Sequence, residues 1–326
     1  MPHVLVTGGA GFIGTHTTRA LLASGQQVHV FDNFSSGVRA NLHTPDNAQA
    51  LHSGQLRITE GDIRDAHAVS SAVAGSTSVL HLAAQVSVQR SVDAPLESAS
   101  HNLSGFLNVL DAVRQHKVQR LVYASSAAVF GSPAKLPVLE GTACAPLSPY
   151  GLEKHINEQY AGLYRTLHSV SSVGMRYFNV YGPLQDPSSP YAGVISKFAN
   201  ALQHGQALRV RGNGLQTRDF VYVGDVAQAN LRALGAAFNG VLNVGSGQSI
   251  TLLQLIDALS HAFRQTGQAA TTGPFIEIIH EAPARGDIMH SATRIDGLRA
   301  ALQWQPATPL ADGLQALAVS MANKPA

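Results

Sequence analysis

The sequence predicts an α/β fold: a doubly wound parallel sheet followed by a smaller C-terminal α/β lobe. Short runs of valine, isoleucine and leucine alternate with longer amphipathic segments over residues 1–182, as strands joined by crossover helices do. The first of these runs is followed at once by a turn rich in glycine. The chain has 326 residues, which is enough to bury the cores of two lobes.

The large sheet is predicted from its apolar runs. We expect a strand from Val4 and further strands at 28–32, 56–59, 78–82, 120–124 and 172–176. The helices between them are expected at 12–24, 66–73, 95–115 and 149–167. In such a sheet, ligands bind at the carboxyl ends of the strands.

A Pro- and Ser-rich loop after Gly182 and Pro183 suggests a lobe boundary. We assign residues 1–182 to the first domain and residues 183–326 mainly to a second lobe, with residues 216–248 returning to the first domain. Helices are expected at 193–203, 224–236, 251–264 and 293–302, with strands near Leu208, Phe220, Val241 and Phe275.

Composition argues against several functional classes. The net charge of +2 is too balanced for nucleic acid or an anionic membrane, and we expect neither a signal peptide nor a membrane span. The 15 histidines are scattered without paired spacing, so no metal site is expected. The single cysteine, Cys144, fits a reducing cytoplasm.

The glycine turn is typical of dinucleotide binding. Gly8, Gly11 and Gly14 allow unusual backbone angles and close approach of a pyrophosphate to the start of a helix. Asp32 ends the next strand roughly 20 residues on, where a carboxylate binds the adenosine ribose and disfavours a 2'-phosphate. This predicts a Rossmann domain that binds NAD rather than NADP. The alternatives are an ordinary strand-turn-helix corner and Asp32 as a turn former.

Tyr150 and Lys154 lie four residues apart and share one face of a predicted helix. A neighbouring ammonium and a bound nicotinamide both favour phenolate, so we expect the pKa of Tyr150 to fall toward neutrality and the residue to act as a base. Ser125 and Ser126 end the preceding strand, and Ser126 is expected to hydrogen-bond the reacting oxygen. The alternative is a surface Tyr and Lys pair on an amphipathic helix.

Together these motifs resemble the extended short-chain dehydrogenase/reductases, and within them the nucleotide-sugar 4-epimerases of the UDP-galactose epimerase type. The resemblance runs nearly end to end. It rests on Thr7-Gly-Gly-Ala-Gly-Phe-Ile-Gly14, Gly61-Asp-Ile-Arg-Asp65, His81-Leu-Ala-Ala-Gln85, Ser125-Ser-Ala-Ala-Val-Phe-Gly131, Tyr150 to Lys154, Arg176-Tyr-Phe-Asn-Val-Tyr-Gly-Pro183, Gln216-Thr-Arg-Asp-Phe-Val221 and Arg285-Gly-Asp287.

The resemblance implies further site residues. Around NAD they are Phe12, Ile13, Asn33, Asp62, Ile63, Leu82, Ala83, Ala84, Gln85, Asn102 and Phe178. Around a UDP-sugar they are Ser125, Asn179, Gly193, Val194, Arg211, Arg218, Arg285 and Ser291, the arginines being apt partners for phosphate oxygens. Three alternatives stay open: Asp62 as a helix cap, Asn179 as a turn former, and Arg285 as a partner of Asp287.

Three positions depart from the family pattern. Ala284 stands where relatives carry an arginine, and Arg285 follows one place later. Arg211 stands where an aromatic ring often covers the uracil, and its guanidinium plane can stack there instead. Ala127 and Ala128 replace the acids of related dehydratases and decarboxylases, so water elimination lacks its proton donor.

The resemblance therefore implies epimerisation at C4 through a 4-keto sugar, with Tyr150 as base and NAD kept bound. Ser291 falls where some relatives carry a bulky tyrosine, which favours UDP-N-acetylglucosamine and UDP-N-acetylgalactosamine, with UDP-glucose and UDP-galactose also accepted. The alternative for Ser291 is that it only starts a strand or cap. The alternative functions are a UDP-uronic acid or other nucleotide-sugar epimerase, an oxidoreductase of the same fold, and a non-catalytic NAD-binding regulator.

By the same resemblance the chain forms a homodimer through helices 95–115 and 149–167. Both carry apolar positions suited to burial, some of which must face their own sheet. These positions are Leu103, Phe106, Leu107, Leu110, Ile156, Tyr160 and Leu167.

Overall fold

A computed structural model describes residues 3–186, 193–267, 277–282 and 288–322. Its largest element is a seven-stranded parallel sheet in the order β10-β6-β5-β4-β1-β2-β3. These strands are β1 (His3–Thr7), β2 (Val28–Asp32), β3 (Leu56–Glu60), β4 (Ser76–His81), β5 (Arg120–Ser126), β6 (Ser172–Tyr177) and β10 (Gly240–Val244). The predicted doubly wound α/β class is confirmed.

Helices cover both faces of this sheet because its strands carry apolar side chains in both directions. Val4 and Val6 of β1 pack in one core cluster, whereas Leu5 between them packs in the other. The helices of this part are α1 (Phe12–Ala23), α2 (Pro45–Ser53), α3 (Ala66–Val73), α4 (Val88–Asp93), α5 (Pro95–Ala99), α6 (Gly105–Gln115), α7 (Pro149–His168) and α9 (Val223–Gly235).

The smaller lobe has a core of its own, which contains Phe198, Leu255, Phe263 and Leu314. Its helices are α8 (Val194–Gln203), α10 (Leu252–Gln265) and α12 (Leu310–Ala322). One sheet joins β7 (Asn179–Tyr181), β9 (Thr217–Tyr222) and β11 (Ser249–Thr251), and another joins β8 (Leu208–Arg211) and β12 (Ile278–Glu281).

Several elements differ from the sequence predictions. Helix α11 (Asp296–Leu302) begins three residues late, because Thr293 forms an isolated bridge with Val138. Its Leu298 and Leu302 pack in the core under the large sheet, not in the smaller lobe. The expected helix 95–115 is interrupted by a π-helical segment, Ser100–Ser104. The strand expected near Phe275 lies outside the described residues.

Within the described parts of the chain, no helix is long and apolar enough to cross a lipid bilayer.

Candidate active site

The turn after β1 is closed by short backbone contacts. Gly8 has a φ of 71°, and a Cβ added there would lie 2.5 Å from the amide nitrogen of Ala83. A Cβ at Gly14 would lie 2.0 Å from the carbonyl oxygen of Gly8, so α1 packs directly on the turn. Gly11 precedes α1 without a side-chain cap, which leaves the amides of the first turn, at Phe12 and Ile13, available to a ligand. This cradle fits a dinucleotide pyrophosphate.

Asp32 lies at the carboxyl end of β2, where its carboxylate also holds the glycine turn. Its Oδ2 accepts from the amide of Ala10 (2.9 Å) and its Oδ1 from the amide of Phe34 (2.8 Å). Asn33 next to it donates through Nδ2 to Asp62 Oδ2 at 3.0 Å. The structure therefore brings together Asp32, Asn33 and Asp62 at one edge of the sheet, beside the turn.

Asp62 does not cap the following helix. Asp65 caps α3 instead, accepting from the amides of His67 and Ala68. The guanidinium of Arg64, 2.7 Å from Asp62, holds the pKa of that carboxyl far below its usual range. The side chain of Ile63 is buried in the core, and a Cβ on Gly105 would collide with it.

The loop after β4 is fastened to the helical layer. It contains the partly buried residues Leu82, Ala83, Ala84 and Gln85. The backbone of Gln85 donates to Asn102 Oδ1 and accepts from Asn102 Nδ2, both at 2.9 Å. Asn102 thus orders this loop, as the family resemblance implies.

Tyr150, Lys154 and Ser126 come together where α7 meets the carboxyl end of β5. Ser148 caps α7 by accepting from the amide of Gly151, which sets Tyr150 in the first turn and Lys154 one turn later. Lys154 Nζ donates to the carbonyl of Ala124 (3.1 Å) and lies 5.9 Å from the centre of the Tyr150 ring. The surface-pair alternative is wrong, because Lys154 is only 3% exposed.

The protein groups alone raise the pKa of Tyr150, whereas the lowered pKa predicted from the sequence included the positive charge of a bound nicotinamide. Burial raises the pKa of its phenol, opposed by a hydrogen bond with the side chain of Ser126 and assisted by the nearby carboxylate of Glu153. Burial also lowers the pKa of Lys154 to about 8, with Glu153 opposing the shift. A lowering of the pKa of Tyr150 therefore requires a further positive charge, which a bound nicotinamide would supply in addition to Lys154.

The side chain of Ser125 does not lie beside Tyr150 as that of Ser126 does. Neighbouring strand residues point to opposite faces, and the Ser125 hydroxyl donates to Glu158 Oε1 at 2.6 Å. Glu158 also pairs with Arg176, whose Nε lies 2.8 Å from Oε1 and whose second guanidinium nitrogen lies 2.7 Å from Oε2. Three side chains near Arg176 lie close enough together to bind a metal ion: Cys144, His155 and Glu158. The Arg176 guanidinium already hydrogen-bonds Cys144 and Glu158 and places a positive charge among these groups.

Further predicted residues lie at β7 and β9: Phe178, expected beside the nicotinamide, and Asn179 and Arg218, expected beside the substrate. Phe178 is buried, with its ring 6.5 Å from that of Phe130. Asn179 ties the two strands by donating through Nδ2 to the carbonyl of Asp219 at 3.1 Å, and forms no turn. Asp219 Oδ1 in turn accepts from the amide (2.7 Å) and hydroxyl (2.8 Å) of Ser246.

Arg218 and Ser291 are neighbours. The amide of Ser291 donates to the carbonyl of Thr217 (3.0 Å), and an Arg218 guanidinium nitrogen donates to the same carbonyl (2.9 Å). Arg211 ends β8 with an exposed side chain, and Gly193 and Val194 begin α8. Arg285 lies outside the described residues.

Sequence reasoning missed three buried polar groups of this region. Glu153 and Asp219 are 4% and 0% exposed, and His81 at the end of β4 shares a 2.7 Å hydrogen bond with Thr7. Glu153 stands inside the Tyr150 to Lys154 motif, so the sequence alone shows an acidic residue directly beside the lysine. His81 and Asp219 contact residues distant in the chain and leave no local pattern.

The fold and these side chains define a Rossmann-type oxidoreductive site, with a dinucleotide cradle facing a Ser, Tyr and Lys group. The family of NAD dependent epimerases and dehydratases matches residues 4–245, and the chain belongs to this family. It is an NAD-dependent epimerase, an enzyme of the isomerase class.

Relatives with known names agree with this assignment. A UDP-glucose 4-epimerase of Mycolicibacterium smegmatis is 37% identical over 325 residues, covering 98% of each chain. The fold is similar to a UDP-N-acetylglucosamine 4-epimerase of Methanobrevibacter ruminantium in complex with UDP-N-acetylmuramic acid (TM-score 0.90, 32% identity, 98% of each chain). It is also similar to a Thermus thermophilus UDP-glucose 4-epimerase in complex with NAD (TM-score 0.85, 34% identity, 98% of this chain and 99% of the other).

Proposed function

We propose that this enzyme inverts C4 of a UDP-hexose, with UDP-N-acetylglucosamine and UDP-N-acetylgalactosamine as its favoured pair. UDP-glucose and UDP-galactose are further substrates. The observation that carries the proposal is the grouping of Ser126, Tyr150 and Lys154 at the carboxyl edge of the sheet that also carries the dinucleotide cradle. The relatives named above act on UDP-sugars.

Each residue of the proposed site has a separate role in the reaction. NAD bound in the glycine cradle would supply the two-electron oxidation and re-reduction of C4, with a 4-keto sugar between the two steps. Tyr150 removes the proton from the 4-hydroxyl and later returns it, while Ser126 hydrogen-bonds the phenol. Lys154, held by the carbonyl of Ala124, keeps a positive charge beside the phenol. Arg218 and Arg211 bind the nucleotide, so that the sugar alone turns over between the two transfers.

Two small residues argue against dehydration of the sugar. Ala127 and Ala128 form the first half of a 3-10 turn directly after Ser126, at the site where a dehydratase needs an acid. Neither side chain can donate a proton to a leaving hydroxyl. The 4-keto sugar is therefore reduced again on its other face and does not lose water.

The choice of an N-acetylated sugar rests on Ser291. Its backbone is fixed beside β9 by the hydrogen bond to the carbonyl of Thr217, which also accepts from the guanidinium of Arg218. A serine side chain takes up much less room there than a tyrosine would. We infer that the bulk of an acetamido group is accepted on this side of the site.

The proposal is tested with purified protein and a panel of UDP-, dTDP- and GDP-sugars, with no reductant added. We expect UDP-N-acetylglucosamine and UDP-N-acetylgalactosamine to interconvert, with UDP-glucose and UDP-galactose converted more slowly. Products are separated by chromatography, and absorbance reports any free NADH. Release of free NADH would indicate a net oxidoreductase. Conversion of UDP-glucuronate alone would indicate that the substrates are UDP-uronic acids.

We also propose that two copies of this chain pair through α7 and the segment before α6. Phe106 and Leu110, two of the expected contact residues, are buried in the protein's own core and cannot take part. The outer face of α7 still exposes Leu163 and Leu167 by 54% and 68%, and Leu96 of α5 is 88% exposed. Sedimentation of the wild type should show a dimer that Leu163→Glu dissociates, and a monomeric wild type would contradict the pairing.

A further inference from the structure

We propose that Glu153 is a positioning residue of the reaction, which ties the helix bearing Tyr150 and Lys154 to the loop after β4 and supplies the negative charge beside them. The inference rests on the proposed role of Tyr150 as the base. Glu153 stands between the two reactive side chains in sequence and is 4% exposed. A carboxylate buried this deeply requires partners and exerts its field at short range.

The partners of Glu153 come from α5 and the π-helical segment, which pack against α7. Its Oε2 accepts from Asn102 Nδ2 at 2.7 Å and from the Ser98 hydroxyl at 2.8 Å. Ser98 belongs to α5, and Asn102 lies in the π-helical segment that follows. One carboxylate oxygen thus joins three helical segments at the point where α7 carries its reactive residues.

Asn102 extends this connection to the loop after β4. Its side chain clamps both backbone groups of Gln85, while its carbonyl accepts from Asn157 Nδ2 at 3.0 Å, one turn further along α7. The Gln85 side chain donates to the Ser98 hydroxyl as well. A displacement of Glu153 would therefore reach the loop, because the Asn102 amide bonds both Glu153 and Gln85. It would also reach Tyr150, which lies three residues earlier on the same helix.

Glu153 also acts on its neighbours through its charge. Its carboxylate raises the pKa of both Tyr150 and Lys154. Of the titratable groups on the surrounding elements, His81 faces Lys154, and burial lowers the pKa of His81 to about 3, so that it is neutral. The side chains that α4, α5 and β5 contribute here, Ser91, Ser98 and Ser126, are uncharged. Glu153 is thus the acid that balances Lys154.

The test is the Glu153→Gln variant, which keeps an oxygen for Asn102 and Ser98 but removes the charge. The acid limb of the pH profile of kcat/KM should move to lower pH by about one unit, the lower end of what a neighbouring charge contributes. The ultraviolet absorbance of the Tyr150 phenolate, taken as the difference from Tyr150→Phe in each background, should titrate at lower pH by the same amount. Asp93→Asn, which removes an exposed charge from α4, should change neither.

A second variant tests the connection separately. Glu153→Asp keeps the charge but shortens the reach to Asn102, and we expect kcat to fall about tenfold or more with an unchanged acid limb, since misplacement by about 1 Å costs up to about a hundredfold. A full rate in Glu153→Asp would overturn the positioning role. Unchanged titration in Glu153→Gln would overturn the charge role. If Tyr150 were not the base, neither variant would change kcat/KM, whereas the Tyr150 phenolate would still titrate at lower pH in Glu153→Gln.

Discussion

The cofactor side and the substrate side of the site differ in how their polar groups are held. On the cofactor side Asp32, Asn102 and Lys154 are each at most 7% exposed, and each hydrogen-bonds a backbone group of another segment. On the substrate side the Arg211 side chain is exposed, and Arg218 and Ser291 are half-buried. The residues proposed to carry out the chemistry are prearranged, whereas the three residues proposed to contact the UDP-sugar have more accessible side chains.

This difference separates positions that resist substitution from positions that tolerate it. Buried hydrogen-bonded groups resist substitution because a lost partner leaves an unsatisfied polar atom in the interior. An exposed or half-buried side chain can be exchanged at little cost in stability. Substitutions on the cofactor side should therefore abolish turnover or folding, and those on the substrate side should alter substrate choice.

The largest effect is expected from Tyr150→Phe. Removing the phenol hydroxyl removes the base, and kcat should fall by about 10²- to 10⁴-fold. The affinity for the UDP-sugar, measured by calorimetry, should stay within a few-fold because the ring is retained. A variant with near-normal turnover would show that another group carries the proton.

Gly14→Ala should abolish cofactor retention. Its Cβ would lie 2.0 Å from the Gly8 carbonyl oxygen, so the glycine turn must shift, at a cost of about 3 kcal/mol, the upper end for overpacking. Thermal unfolding and the NAD content of the purified protein measure the two consequences. Gly235→Ala is the matched control, because no atom lies within 4 Å of its added Cβ; equal losses in both variants would refute the close-packing argument.

A smaller effect is expected from Ser291→Tyr. The added ring should lower kcat/KM for the N-acetylated sugars by about 10- to 200-fold, as pocket sterics do, and leave UDP-glucose nearly unaffected. The ratio of the two rates is the measurement. An equal loss for both substrates would mean that position 291 is not a gate.

The smallest effect concerns the stability of the turn held by Asp219. Burial raises the pKa of its carboxyl to about 6, although three hydrogen bonds from Ser246 and Gly247 oppose the shift. The folded protein holds this proton more tightly than the unfolded chain does. Its contribution to the free energy of unfolding is therefore present below about pH 4 and is lost as the pH rises through about 6, a total of at most about 3 kcal/mol.

Denaturant titrations of wild type and Asp219→Asn at several pH values isolate this contribution. The advantage of the wild type over the variant should shrink between about pH 4 and about pH 7. A constant difference would show that Asp219 does not titrate in this range.

The sequence predicts well what depends on neighbouring residues. The spacing of Gly8, Gly11 and Gly14, the acid that ends β2, and the Tyr150 and Lys154 pair are all local patterns. Contacts between distant segments were not predictable: Glu153 and Asn102 lie 51 residues apart, and their hydrogen bond has no periodic signature. The π-helical interruption that positions Asn102 likewise depends on tertiary contacts that no propensity scale contains.

In the proposed cycle C4 receives back, on its opposite face, the same hydrogen that it gave up. A UDP-sugar labelled with deuterium at C4 tests this most directly, because NAD holds the hydride while Tyr150 handles only the oxygen-bound proton. After the two epimers reach equilibrium in ordinary water, mass spectrometry should find the label still at C4 in both. Loss of the label to solvent during epimerisation would show that C4 does not recover its own hydrogen, contrary to the proposed mechanism.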